Sequence, residues 1–522
     1  MQNSKIPKSL QPFNCKFVFV GVLWGVFFCN STVFARPGSI VSSLMFHSQK
    51  VRLGSPASDL LSRSTSANLS YNIANSDKYT QRKHIQDTSK YSSLQDFLKK
   101  GKFNSHSRFF SMITNNAAGY TDYYANAFAS GIEYNSAVYK NLLFQTSAYA
   151  IMDLGSSDFT KLDSLSNQPN RYEIGLFDVA NPGLSGMLIR LEDLNLKYSL
   201  AKKGFQAVFG KQLLKTPFIN PQDGRMRPTM AQGLMVNNKF KSNIELVFGA
   251  INKISPRSTM KWYDVGNSMG LYASGVNPNG SKSNYVGNLP QTAIFLVSIN
   301  KKSFDRMWEI WVQSVPQIFQ TYFAKCERIP KQGWVYGIQT IYQHALKFGG
   351  NQNPLKTYFP ENNQSLVFSG RIGYAVKQQQ VFNLNATRIT AKGRYLMPRE
   401  WGRDPFYTFM PRERNEGYGD VWALTVNYTL SNKSKPMGID FGLGRFQLPS
   451  PSSSALNKYA FPSYYQANIN GRYQFQNGLF KGLSTQLLVV GKKAIANQTL
   501  IPKYEFNKVN LLHINLILSY SF

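Results

Sequence analysis

The feature that most constrains this chain is its last stretch, residues 512–522, LHINLILSYSF. Leu512, Ile514, Leu516, Leu518, Tyr520 and Phe522 are apolar. Between them stand His513, Asn515, Ile517, Ser519 and Ser521, all but one polar. Strict period-two alternation requires an extended strand with one greasy face and one wet face. Such a strand of about 10 residues is long enough to cross a bilayer when tilted. A half-buried strand of a soluble sandwich reads the same way, so the rest of the chain must decide.

From about residue 101 the same pattern recurs. Leu194, Leu196, Tyr198 and Leu200 alternate with Asn195, Lys197 and Ser199, then a Lys202-Lys203-Gly204 turn leads to Phe205, Ala207 and Phe209. Ile244, Leu246, Phe248 and Ala250 follow a turn at Lys241 to Asn243, and a further turn is expected at residues 300–303. Trp334, Tyr336, Ile338, Thr340 and Tyr342 form another apolar face, as do Leu366, Phe368, Ile372 and Tyr374, and Trp422, Leu424, Val426, Tyr428 and Leu430. The clearest case sets Tyr465, Ala467, Ile469, Gly471, Tyr473 and Phe475 against Gln466, Asn468, Asn470, Arg472 and Gln474. So many strands without intervening helices do not pack as sandwiches of ordinary size. At roughly 23 residues per strand and connection, the expected fold is an all-β transmembrane antiparallel β-barrel of 16–18 strands, with 18 favoured.

The other end agrees. Residues 1–35 read as a secretory signal peptide: Lys5, Lys8 and Lys16, an apolar core at 17–28, and a small-residue cleavage pattern that places the cut between Ala35 and Arg36. That core is too short to span as a helix. Residues 36–100 form a polar, Ser-rich, mostly irregular extension. Within it SSLQDFLKK is expected to make a short serine-capped helix with Leu94, Phe97 and Leu98 on one face. Residues 101–522 would then be the barrel. Cys326 alone survives cleavage, so no internal disulfide forms, and it is expected as an inert buried or loop thiol.

The chain carries +32, and loss of three lysines with the signal leaves +29. Export makes nucleic acid an improbable partner, which leaves anionic membrane surfaces and anionic solutes. Charged residues are only 16% and aromatics 14%, the balance of a wall facing lipid with aromatic girdles at its interfaces.

Residues 210–233, with Pro217, Asp223, Arg225, Pro228, Gln232 and Gly233, resemble the OprD family of outer-membrane porins. Ser255-Pro-Arg257, the hairpin 473–483 and the aromatic C-terminus are similar to that family too. The basic extension and the segment 393–403, GRYLMPREWGR, look more like the Hof group of epsilon-proteobacterial outer-membrane proteins. The resemblance implies residence in the outer membrane of a Gram-negative bacterium, Tyr520 and Phe522 as a signal to the barrel assembly machinery, and arginines that guide carboxylate-bearing solutes. The partners implied are the lipid bilayer, lipopolysaccharide and small polar or anionic solutes, and a homotrimer is compatible with it.

For a porin the chemistry is a charged constriction where a loop folds inward. The Pro-rich segment 216–227 carries Asp223, Arg225 and Arg227; alternation points Lys197, Arg371 and Arg472 inward; a second basic loop holds Arg394, Arg399, Arg403, Arg412 and Arg414. Guanidinium stays charged and pairs bidentately with carboxylates. Loop arginines that bind lipopolysaccharide or stay solvated read identically. No catalytic constellation surrounds His47, His84, His106, His344 or His513, and no metal or cofactor pattern occurs, so an enzyme is not expected. The rival reading is an adhesin or structural barrel acting through loops such as 263–289 and 351–363.

Overall fold

The computed structural model describes residues 93–521, apart from 184–185, 222–224, 378, 433–435 and 496–499. The expected signal peptide with its Ala35–Arg36 cut, the extension up to residue 92, Asp223 and Phe522 lie outside the described residues.

The strands are β1 (Lys102–Asn115), β2 (Tyr123–Asn135), β3 (Leu142–Ser156), β4 (Leu188–Leu200), β5 (Phe205–Gln212), β6 (Met230–Lys239) and β7 (Ile244–Ser255). They continue with β8 (Tyr263–Asp264), β9 (Ile294–Ser303), β10 (Arg306–Val315), β11 (Phe319–Arg328), β12 (Gly333–Ala345) and β13 (Gln364–Val376). The last six are β14 (Gln380–Ile389), β15 (Val421–Asn432), β16 (Met437–Gln447), β17 (Tyr464–Gln474), β18 (Ser484–Ala494) and β19 (Leu511–Ser521). Each pairs antiparallel with its neighbour, and β1 closes on β19 through ten residue pairs from His106↔Ser521 to Asn115↔Leu512. Two-residue β8 only extends the end of β7, where it pairs Ile254 with Tyr263. Of the nineteen strands, eighteen therefore form a closed antiparallel barrel. Bulges shift the register at Ala125/Ala127, Ser147/Ala148 and Gln232/Gly233.

Closure makes the two faces of the alternation chemically distinct. On β19, Leu512 and Leu516 are exposed outward, whereas His513, Asn515, Ile517 and Ser519 are buried inward. On β17 Tyr465, Ile469 and Tyr473 face out while Gln466, Asn468, Asn470 and Arg472 face in. The exposed outer faces of all these strands form a continuous apolar belt, which is the surface a bilayer covers.

Connections sort by end. Turns between β4 and β5, β6 and β7, β9 and β10, and β13 and β14 take only a few residues. The opposite end carries 157–187, 213–229, 256–293, 346–363, 390–420 and 448–463. Glycine or asparagine takes the left-handed position where a tight turn needs it, as at Gly204 (φ 68°) and Asn243 (φ 58°).

Three expectations change in detail. The turn after β9 is at 304–305, because the lysines of 300–303 stay in the ladder and Arg306 pairs with Ser303. The helix α1 (Leu94–Lys99) forms with Ser93 accepting from the Asp96 amide, but only Phe97 is buried; Leu94 and Leu98 are exposed. Cys326 is neither in the core nor in a loop: it sits mid-strand on β11, half-buried, between Trp308 and Ile338 on the neighbouring strands.

Leu516→Arg puts a charge on the belt near the middle of β19 and is expected to cost about 2–4 kcal/mol. Leu516→Met should be nearly neutral. Urea titration of the refolded protein in lipid vesicles measures both.

Candidate functional site

The lumen is filled by the long connections of one end. Leu396 exchanges two hydrogen bonds with the Gln343 side chain of β12, its carbonyl accepting at 2.9 Å and its amide donating at 3.0 Å. The Tyr407 amide donates to Ser369 of β13, Thr408 bonds Thr387 of β14 at 2.7 Å, and Gln466 of β17 donates to the Pro411 carbonyl. Segment 390–420 thus lies along the inner wall, reading inward polar side chains that the alternation supplied.

Segment 213–229 meets it. The Asn220 amide donates to the Trp401 carbonyl at 3.1 Å, the Asn220 side chain bridges Arg403, and Thr229 donates to the Glu400 carbonyl. Trp401, wholly buried, donates through Nε1 to Ser268 of 256–293 at 2.8 Å. Glu400 accepts from the amides of Gly270 and Tyr272 at 2.9 Å each. Around these contacts Phe218, Ile318, Phe319, Phe359, Tyr395, Leu396, Phe406 and Met410 form an apolar cluster within the barrel. A second cluster, with Phe110, Met112, Ile151, Tyr172, Leu176 and Leu188, lies beneath 157–187 on the wall of β1 to β4.

The charged groups cluster with ring partners of their own. Glu413 receives Lys492 at 2.6 Å, Arg171 at 3.1 Å and the Tyr172 hydroxyl at 2.8 Å. Arg399 pairs with Glu416 at 2.7 Å and lies 3.7 Å above the Tyr459 ring, whose hydroxyl also donates to Glu416. Burial would lift the Glu413 carboxyl, but Arg171 and Lys492 hold it down to about 2. Burial pushes the Asp404 carboxyl up to about 6 against the pull of Arg414.

Near these pairs several arginines come together: Arg257 lies near Arg225, Arg412, Tyr272 and Glu400, and Arg414 near Arg257, Asp404 and Arg399. Arg257 is 6% exposed, and its Nε and Nη1 are buried without a hydrogen-bond acceptor. Burial lowers its pKa to about 10, and the charges of Arg225 and Arg412 act in the same direction. Burial, then Arg257, lowers Arg414 to about 9. Arg225 packs against the backbone of 173–176, where a Cβ on Gly175 would strike its Nε. A small anionic group is what this arrangement can hold: buried N–H donors, positive potential and aromatic walls.

The residues singled out in the sequence fall in several places. Arg227 is buried and pairs with Glu192 through Nε at 2.6 Å, over the Tyr149 ring. Arg371 on β13 is inward, 3.5 Å from Glu327, with Nε donating to Asn385. Arg472 on β17 is inward and paired to Asp440 at 2.7 Å. Arg394 donates to the carbonyls of Val276, Ser454 and Ala455, tying three connections together. Arg403 stacks over Phe409, and Lys197 is half-buried on β4. Arg225 joins Arg257, Arg412 and Arg414. Glu413 is one of the acids that the sequence places in the second basic loop, with Glu400, Asp404 and Asp420; the acids Glu416 and Glu192 and the bases Arg171 and Lys492 were missed. Lys492 was readable: Gln486 and Lys492 share a parity on β18, and both are buried.

No known protein family matches the sequence, and no curated protein does. Solved structures match the fold. The structure of Pseudomonas aeruginosa OpdK with vanillate superposes with a TM-score of 0.61 at 12% identity, covering 82% of this chain and 99% of that one. P. aeruginosa OccK9 (OpdG) gives 0.61 at 13% over 82% and 99%, and P. aeruginosa OpdO gives 0.58 at 12% over 82% and 98%.

Glu413→Gln leaves Arg171 and Lys492 buried without their counter-charge. The expected loss is about 3–5 kcal/mol of local stability, read as new tryptic cleavage at Arg399 and Arg403 at neutral pH. The native protein carries the same dependence on pH. A carboxyl held at about 2 against an ordinary 4.5 contributes stability above 4.5 and loses it as pH falls towards 2. Asp404 has the opposite sign, since ionising it disfavours the loop as pH rises from 3.8 past 6. Pepsin cleavage within 390–420 is therefore expected to begin below about pH 4 and rise towards pH 2.

Proposed function

We propose that this protein is an outer-membrane porin of a Gram-negative bacterium, OprD-like and nearest the Hof group, which passes small polar solutes and prefers carboxylates. One observation carries this reading: the buried guanidinium of Arg257, with two donor atoms unanswered, inside a cluster of arginines at the meeting of three inward segments. Unanswered buried donors are costly unless something accepts from them, and a carboxylate is the acceptor whose geometry matches guanidinium. The paired arginines have a different part, since Arg171, Arg227, Arg371, Arg399 and Arg472 hold inner-wall and loop geometry through their acids. The vanillate in the OpdK structure, an aromatic carboxylate, is of the chemical class this cluster and its tyrosines suit. The reading assigns no catalytic activity, cofactor or metal to the chain. Insertion through the barrel assembly machinery, contact with lipopolysaccharide and assembly as a homotrimer belong to the same reading.

The adhesin alternative draws no support from the long connections. They bond to one another and to the inner wall, as where the Val276 amide donates to Lys458 and the Asn284 amide to Leu355.

Planar-bilayer recording across a KCl gradient tests the proposal. Open, anion-leaning steps are expected, blocked by vanillate or benzoate. Arg257→Gln should keep the channel open, reduce the anion preference and raise the half-blocking concentration roughly 10-fold or more, the worth of a charge-assisted hydrogen bond. A folded barrel that never opens, or one in which Arg257→Gln alters neither quantity, refutes it.

A further inference from the structure

The net positive charge is not distributed evenly over the surface. At the short-turn end, the described connections carry exposed bases: Lys140 between β2 and β3, Lys202 between β4 and β5, Lys241 between β6 and β7, Lys302 at the end of β9, Lys331 between β11 and β12, and Lys377 between β13 and β14. Lys481 between β17 and β18, and Lys99 and Lys100 at the end of α1, continue the series. The acids of that end, Asp96, Glu245 and Asp305, are only partly exposed, and Asp305 is engaged by Arg328 at 2.7 Å. The loop end is mixed: exposed Asp122, Asp158, Glu361 and Asp420 stand among Lys261, Lys282, Lys347 and Lys392.

Two further observations fix what the bases face. Five of them lie within a few residues of an exposed aromatic at the edge of the apolar belt: Phe240 beside Lys241, Phe304 after Lys302, Trp334 after Lys331, Tyr374 before Lys377 and Phe480 beside Lys481. Trp and Tyr rings settle at the headgroup level of a bilayer, and lysine reaches outward from the same depth. In addition, Lys140 (φ 47°) and Lys377 (φ 48°) occupy left-handed backbone positions, where asparagine or glycine is the unstrained choice. These turns hold a positive charge at positions whose backbone favours a different residue, as Lys347 (φ 50°) does at the loop end.

We propose that these turn lysines form a basic collar that binds the phosphate groups of anionic phospholipids in the leaflet at the short-turn end. The collar is continuous with the lipid-covered belt, and its charge is opposite to that of the headgroups. α1 belongs to it: Phe97 is buried, its carbonyl accepting from Ala137, while Leu94 and Leu98 lie exposed beside Lys99 and Lys100 in the manner of an interfacial helix. The inference depends on the barrel spanning a bilayer and not on what passes through its lumen.

Electron spin resonance of the refolded protein in phosphatidylcholine vesicles tests it, with trace spin-labelled phosphatidylglycerol and phosphatidylcholine as probes. Phosphatidylglycerol should associate with the protein about three-fold more strongly at low salt, and the preference should fall towards one in about 1 M NaCl. Replacing Lys140, Lys202, Lys241, Lys302, Lys331 and Lys377 together by Gln should abolish the preference. The control variant, with Lys261, Lys282, Lys347 and Lys392 changed to Gln, should keep it. Heat-modifiable gel migration and channel recording report whether each variant is folded and inserted; if the six-site variant is not, two three-site halves should each lose part of the preference. The proposal fails if the native protein shows no preference, if the collar variants retain it, or if the control loses it equally. It also fails if inorganic phosphate displaces the labelled lipid more strongly than chloride of the same ionic strength, which would mark a site for free phosphate.

Discussion

In hydrocarbon an unpaired peptide group costs several kcal/mol, and the rest of this structure depends on a sheet that closes on itself. The ten pairs between β1 and β19 meet that condition by joining the two ends of the sheet, four hundred residues apart in sequence. Once the ladder is closed, every strand residue must point to lipid or to lumen. Side chains such as Gln343, Ser369, Thr387, Gln466 and Lys492 become anchor points facing a common interior, at heights set by register. The inward connections then need no sheet of their own. They take their backbone partners from those anchors and from one another.

The ion pairs of the interior are best understood as positioning devices. A buried pair gains little over apolar packing, since desolvating two charges offsets most of their attraction, yet removing one partner is expensive. Arg227 with Glu192, Arg399 with Glu416 and Lys492 with Glu413 therefore fix where 213–229 and 390–420 lie more than they add stability. Where the connections converge, Arg257 stands near Arg225 and Arg412, with Glu400 acting against their charge, and Arg414 stands between Arg257 and Asp404.

How much of this could be read from the residues follows from the range of each interaction. Strand identity, facing and barrel closure were legible because a two-sided environment imposes alternation locally: Tyr465 through Gln474 states its own faces. The turn after β9 was misplaced because Asn300-Lys-Lys-Ser303 has the composition of a turn, while the ladder with β10 continues through it. The inward loops were legible as arginine-rich and proline-rich stretches. Their partners were not, since Glu413 meets Lys492 across 79 residues and Arg171 across 242, and no local pattern encodes such a meeting. Polarity told which residues belong inside; only the folded chain tells which of them are spoken for.

The contact between 213–229 and 390–420 has a mechanical consequence. One segment is rooted between the fifth and sixth strands of the barrel and the other between the thirteenth and fourteenth, nearly half a circumference apart. Joined through Asn220, Thr229, Glu400 and Arg403, they act as a tie-rod across the cylinder. An empty barrel deforms most easily by flattening into an ellipse, which shortens one diameter and lengthens the other. A strut fastened to both walls resists that mode, so lateral pressure on the wall is borne by the crossing, and the barrel keeps a round cross-section.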